Sequence, residues 1–438
     1  MGESKQLYER IKAGVDGIRI IDTHEHLPPE AERNANTIDL FTEYFSHYAS
    51  SDLVSAGFPE KKLDWLRDPK AALDELWAAV APYWGHIRRT AYARPLLIAS
   101  KDLYGIDDIN ERTYAALSKK ITASNKPGWY RTVLKDKSRI DCSVVNVGTT
   151  DCDRTLFKPV VPANWYAYAR SRKGVRELER ISGVMIRGVE TFVEAMEKHI
   201  AQEAGKDVAG IKIGIAYGRP LRFDKTPAAD AERVLRRILG GEFATGWYPP
   251  DTEISWDEAK PLTDFLVHKT VEIAERHGLP VQIHTGLLEG CGNYIRNSQP
   301  TDLTNLFFEY PKCRFDLFHG GYPYSRELAT LAKNFQNVYI DMCWMHIISP
   351  AASCAMLHEW LDMVPESKIF AFGGDYLFPE GVYGHAEMAR ENVVRVLSER
   401  VSWGYIAEDE ALGLATKLLR TNAAEFFSID TGNPVDAA

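Results

Sequence analysis

Ile20-Ile21-Asp22-Thr23-His24-Glu25-His26 is the stretch that decides the reading of this chain. An apolar run, Ile18, Ile20 and Ile21, leads into two histidines two residues apart. Side chains at i and i+2 of a strand point the same way. A buried strand here therefore delivers two imidazoles to one point at its carboxyl end, the beginning of a divalent-metal site. His-x-His alone is common by chance, so the reading depends on later strands supplying further ligands.

Three later runs have the same form. Val281-Gln282-Ile283-His284-Thr285-Gly286, Phe315-Asp316-Leu317-Phe318-His319-Gly320-Gly321 and Ile369-Phe370-Ala371-Phe372-Gly373-Gly374-Asp375 each lead from apolar residues to a histidine or aspartate near glycine. Asn337 to Asp341 is a further strand without an obvious ligand. Between strands the period changes. Leu328, Leu331, Ala332 and Phe335 share one helical face, with Ser325 as the expected N-cap. Alternating strands and helices predict a parallel sheet with right-handed crossovers. Functional residues at the strands' carboxyl ends predict an α/β fold of the (β/α)8, or TIM-barrel, type.

The remaining strands are expected over Ile140 to Val147, Leu156 to Val161 and Val208 to Ile215. Leu40 to Arg131 (40–131) reads as a helical insertion after the first strand, since Ala71, Leu73, Leu76, Trp77 and Val80 recur at helical spacing. Its aromatics, among them Tyr44, Tyr48 and Trp84, are expected to cover the barrel mouth. A second insertion, Pro220 to Trp256 (220–256), has Gly/Pro-rich ends and is a candidate lid. A helix is expected from Trp256 to His277, stopped by Gly278, and two more over His385 to Val401 and Glu408 to Phe427. Residues 1–438 thus form one elaborated barrel, with length to spare beyond the ~250 residues such a fold needs.

The net charge of −9, without a basic run, argues against a nucleic-acid surface. No stretch approaches the ~20 apolar residues of a transmembrane helix. Met1 to Arg19 is charged and helical in pattern rather than a signal peptide. The 6 cysteines show no CxxC spacing and are expected reduced. The expectation is a cytoplasmic homo-oligomer acting on a small molecule, with no nucleic-acid or membrane partner.

As a set, Asp22-Thr23-His24-Glu25-His26, Gly210-Ile211-Lys212-Ile213, Gln282-Ile283-His284, His319-Gly320-Gly321-Tyr322-Pro323 and Gly373-Gly374-Asp375 resemble the amidohydrolase superfamily. The resemblance is to the amidohydrolase-related branch that also holds uronate isomerases and metal-dependent decarboxylases. It implies that His24, His26, His284 and Asp375 bind one divalent metal, Zn2+ in first place and Mn2+ or Fe2+ otherwise. It implies catalytic roles for Asp375 and His319, with His319 a second-metal ligand in binuclear members. Gln282 with His284, Trp344, and Asp375 followed by His385 are similar to uronate isomerases. Those enzymes typically lack the sixth-strand histidine, however, and the setting of His319 resembles hydrolases and decarboxylases instead. The implied reaction is hydrolysis, an activated water attacking a carbonyl C–N or C–O bond. Decarboxylation or sugar-acid isomerisation is the alternative.

Lys212 lies mid-strand between isoleucines, where a free charge is costly. Three readings stay open: a carboxylate adduct bridging two metals, a partner for a substrate anion or Asp375, or a side chain snorkelling outward. Arg219, Arg222, Tyr217 and Tyr383 fall in expected βα loops. Together with Trp344 and His385 they are expected to bind substrate, the arginines gripping a carboxylate.

Overall fold

The apolar runs become eight parallel strands paired in chain order. They are β1 Ile20–Glu25, β2 Ile140–Val145, β3 Phe157–Pro162, β4 Gly210–Ile213, β5 Val281–Ile283, β6 Phe315–Leu317, β7 Val338–Asp341 and β8 Ile369–Phe370. The structure, a computed structural model, describes residues 2–163, 166, 169–240 and 253–431, so 241–252 of the second insertion lie outside the described residues. The ring closes through backbone bonds beyond the last strand. Thr23 N donates to Phe372 O at 3.1 Å, Asp375 N to His24 O at 2.8 Å and His26 N to Tyr376 O at 3.1 Å. The same bonds bring Asp375 beside the first-strand histidines. Every strand residue except Asp141, Cys142 and Tyr339 is buried, as a barrel wrapped by helices requires.

Some expectations shift. β2 and β3 are joined by 146–156 without a helix, because that segment carries turn residues such as Gly148, Asp151 and Asp153 in place of an apolar stripe. Ser325 is the first residue of the helix Ser325–Asn334, and Tyr324 stands at its N-cap. The helix expected from His385 begins earlier and runs Pro379–Ser402. Proline suits the first helical position, where its missing N–H costs nothing. Gly384 inside this helix has a packing reason: a Cβ there would sit 2.2 Å from Pro95 O. That close approach seats the insertion helix Ala93–Tyr104 directly on Pro379–Ser402.

A buried ion-pair network fixes the insertion over the barrel. Arg33 bridges Glu43 and Glu380, each at 3.1 Å. Tyr104 and Trp129 donate to the same Glu380 oxygen at 2.6 and 2.9 Å. Burial first, and the neighbouring Glu380 second, push the Glu43 carboxyl up to about 7 from 4.5, against the pull of Arg33. The folded state therefore holds this proton more tightly than the unfolded chain does. The stability Glu43 contributes is complete below about pH 4.5 and is lost as pH rises through about 7. Glu43→Gln, neutral at every pH, should match wild type at pH 5 and exceed it in stability at pH 8. Urea denaturation at the two pH values checks this.

Candidate metal centre

Four imidazoles and one carboxylate converge at the carboxyl ends of the strands. His24 Nε2 lies 3.1 Å from His26 Nε2, and these atoms lie 3.6 and 3.4 Å from Asp375 Oδ1. On the other side of the carboxylate, His319 Nε2 is 3.9 Å from Asp375 Oδ2 and 3.1 Å from His284 Nδ1. The four ligands expected for one ion therefore divide. His24 and His26 flank one oxygen of Asp375, while His284 pairs with His319.

The outer nitrogens of that second pair settle the tautomers. His284 Nε2 lies 2.8 Å from Leu287 O, and His319 Nδ1 lies 3.2 Å from Cys343 O. A carbonyl accepts only, so each of these nitrogens carries the proton. His284 Nδ1 and His319 Nε2 are then left as two lone pairs facing each other. Two acceptors at that separation repel unless something positive sits with them, so the donor set fits a divalent cation. Burial first, and Lys212 next, hold His24 well below the usual imidazole range and bring His26 down to about 4 and His284 to about 3. Burial, then His284 and Lys212, hold His319 low as well. Neutral imidazole is the ligating form.

Lys212 is buried, with Nζ 3.5 Å from the centroid of the Phe318 ring. It points inward, so the outward-snorkelling reading falls. Burial brings its ammonium down to about 8 against the opposing pull of Asp375. Burial likewise pushes Asp375 up to about 7, with Lys212 opposing. Three of the backbone's non-glycine positive φ values belong to this site: His319 at 61°, Trp344 at 64° and Asp375 at 57°. Such strain gathers where surrounding packing holds a side chain to a task. Glu25, pointing away from the histidines, accepts from Tyr376 N at 2.7 Å and braces the loop that carries Asp375.

Other expected residues are placed elsewhere. Arg219 is buried and ion-paired to Asp264 at 2.6 Å, with further bonds to Thr263 Oγ1 and Arg222 O. Arg222 is exposed and pairs with Asp224. Both guanidinium groups of the expected anion grip thus have carboxylate partners within the protein. Tyr383 donates to Asp102 on the insertion side, and His385 is buried behind the eighth-strand loop with Nδ1 at Gly374 O. Neither is among the residues that meet at the metal centre. Trp344 does reach it, its ring edge-on to His319 at 5.1 Å. Arg219→Ala should therefore act on stability. Losing one partner of a buried pair costs roughly 3–5 kcal/mol, reduced here because Lys260 also pairs with Asp264. Urea denaturation should show the loss, with the metal content of the folded protein unchanged.

Reading the sequence missed several neighbours. Cys343 Sγ lies within 4.8 Å of ligand atoms of His319 and Asp375. Asp341 is buried and bonded to Cys343 N. The signal was present: Asp341 and Cys343 repeat the i, i+2 spacing of His24 and His26. From the insertion, the Tyr48 hydroxyl donates to Asp375 O.

The model of the amidohydrolase family matches residues 180–429, from the segment after β3 to the last described helix. The chain belongs to the amidohydrolase family. Family and site together make it an enzyme with a divalent-metal centre. Protein fluG of Emericella nidulans is 29% identical to this amidohydrolase over 233 residues, 52% of this chain and 26% of that protein. The chain thus spans about a quarter of the length of the curated relative it matches. Its fold is similar to that of uronate isomerase from Thermotoga maritima (TM-score 0.78, 16% identity, 96% of this chain and 97% of the other). Glucuronate isomerase from Caulobacter crescentus is comparable (TM-score 0.77, 16% identity, 98% and 95%). A Lactobacillus casei protein described as a metal-dependent hydrolase is similar too (TM-score 0.65, 14% identity, 94% and 96%). At these identities the likeness speaks for the fold alone. Among the described residues, no helix is long and apolar enough to cross a membrane.

Proposed function

We propose that this amidohydrolase is a hydrolase, cleaving a carbonyl-centred C–N or C–O bond of a small polar molecule. The observation that carries the reading is the His284–His319 pair, whose lone pairs face one another beside Asp375. A sixth-strand histidine in the donor set resembles hydrolases and decarboxylases rather than uronate isomerases, so it supports the reading against isomerisation.

His24, His26 and Asp375 would hold one divalent cation, with His284 and His319 offering a second pair of donors. Imidazole and carboxylate suit Zn2+, and the same donors accept Mn2+ or Fe2+. When bound, the cation supplies Lewis acidity towards water and a carbonyl oxygen. Asp375 then carries the proton, accepting it from the attacking water at a carboxylate oxygen and giving it to the leaving nitrogen or oxygen. His319 presents a lone pair rather than an N–H to the centre, which suits a ligand better than an oxyanion donor. Lys212, held among the four imidazoles, balances the carboxylates beneath the site. Tyr48, bonded to Asp375 O, fixes the loop that aims the proton carrier and closes the mouth against solvent.

The test is turnover of N-acyl amines, N-acyl amino acids, lactones and uronates by metal-loaded enzyme in heavy-oxygen water. Hydrolysis places one labelled oxygen in each acid product. Release of carbon dioxide, or an unlabelled ketose, overturns the reading in favour of decarboxylation or isomerisation.

A further inference from the structure

A cavity of about 220 Å³ opens beside the metal centre. Tyr48, Tyr92 and Trp344 line it, as do the half-buried carboxylates of Asp52 and Glu289. The three rings are nearly parallel. Tyr48 lies 4.7 Å from Trp344 at 20°, and Tyr92 lies 5.1 Å from Tyr48 at 24°. The cavity adjoins the reacting groups: Tyr48 holds Asp375 O, and Leu287, whose carbonyl faces His284 Nε2, lines the wall.

Its charge is of one sign. Asp52 accepts from the Thr90 hydroxyl, and Glu289 accepts from Ser51 Oγ at 3.1 Å. Among the described residues no lysine or arginine lines the cavity. Arg67 acts on Glu289 from outside it, its guanidinium bonded to Phe45 O and Ser50 Oγ. Burial pushes both carboxyl groups up, a penalty a cation would relieve. Trp344, on the wall shared with the metal centre, is itself held tightly. It is 1% exposed.

We propose that this cavity receives a cationic amine. The substrate's non-reacting end carries an ammonium or guanidinium group that meets Asp52 and Glu289 against the aromatic wall. Carboxylates bind such groups by charge-assisted hydrogen bonds, and aromatic faces attract them through the ring quadrupole. The cavity is smaller than the ~300–1,000 Å³ of drug-sized ligands, which limits the amine to a short chain. The assignment of this end as non-reacting rests on the hydrolase reading. Cation binding itself does not. It also reverses the sign expected when Arg219 and Arg222 were read as the substrate grip.

Calorimetric titration of the metal-loaded protein at pH 7 with n-butylammonium chloride and with sodium butyrate tests the proposal. Saturable binding of n-butylammonium, at least tenfold tighter than butyrate, is expected. Glu289→Gln and Asp52→Asn should each weaken it by about tenfold, the size of one lost charge-assisted bond. Butyrate binding as tightly as the amine overturns the proposal, and this comparison stands even if a variant fails to fold. So does amine binding that survives in both folded variants but disappears on chelation, which would place the amine on the metal. Heavy-oxygen labelling judges the hydrolase reading separately, so either idea can fail while the other stands.

Discussion

Asp375→Asn is expected to abolish turnover while leaving the fold intact. Asp375 adopts φ +57°, a conformation asparagine accepts more readily than most residues. Its backbone bonds, N to His24 O and O from the Tyr48 hydroxyl, survive the change. What is lost is the anion between the His24–His26 and His284–His319 pairs. Removing a positioned proton carrier costs about 10²–10⁴-fold in rate, and weaker metal binding adds to it. Measured kcat should fall by at least that factor while circular dichroism shows the wild-type fold. Activity within tenfold of wild type would show that the proton travels by another group.

Gly374→Ala is expected to lower stability and metal retention together. A Cβ at that position would lie 1.8 Å from Glu25 Oε1. Glu25 cannot retreat, since it is fully buried and its other oxygen accepts from Tyr376 N. Gly374 N also donates to Asp22 Oδ1 at 3.1 Å, so the loop is held on both sides. Overpacking typically costs about 1–3 kcal/mol, occasionally more, and here it also breaks bonds to buried carboxylates. Chemical denaturation should show a loss at or above that range, together with reduced metal retention because Asp375 is the next residue. Gly413→Ala is the control. Nothing lies within 4 Å of its Cβ, and it sits in the helix Glu408–Thr416. Removing a helical glycine should there be neutral or stabilising by about 0.5–1 kcal/mol.

The contrast between these glycines shows what a sequence reveals about such a site. His24, His26, His284, His319 and Asp375 were legible because strand alternation and short apolar runs fix where a strand-end side chain points. Their division into two pairs about Asp375 was not legible. It depends on Leu287 O and Cys343 O, backbone groups brought near by the barrel's closure. The ion pair of Arg219 was not legible for a related reason. A βα loop can place an arginine at the mouth, but here Asp264, on the helix Trp256–Arg276 that precedes β5, pairs with it. The start of the helix at Pro379 was hidden because Pro-Glu-Gly signals a turn locally, whereas the Tyr376 ring, 2.3 Å from where a Cβ of Gly381 would sit, makes glycine the residue that fits. The cavity wall of Tyr48 and Tyr92 came from an insertion whose helices could be read but whose docking could not. Trp84 and Tyr44, expected beside them, instead bond Ile109 O and stack on Phe378.

Metal analysis of the purified protein tests the central claim most directly, comparing wild type with the His24→Ala/His26→Ala double variant by plasma mass spectrometry. Stoichiometric divalent metal is predicted in wild type and a large loss in the variant, with activity falling in parallel and after chelation. A wild-type protein free of divalent metal whose activity is untouched by chelators would contradict the account, as would a double variant that keeps the wild-type metal content.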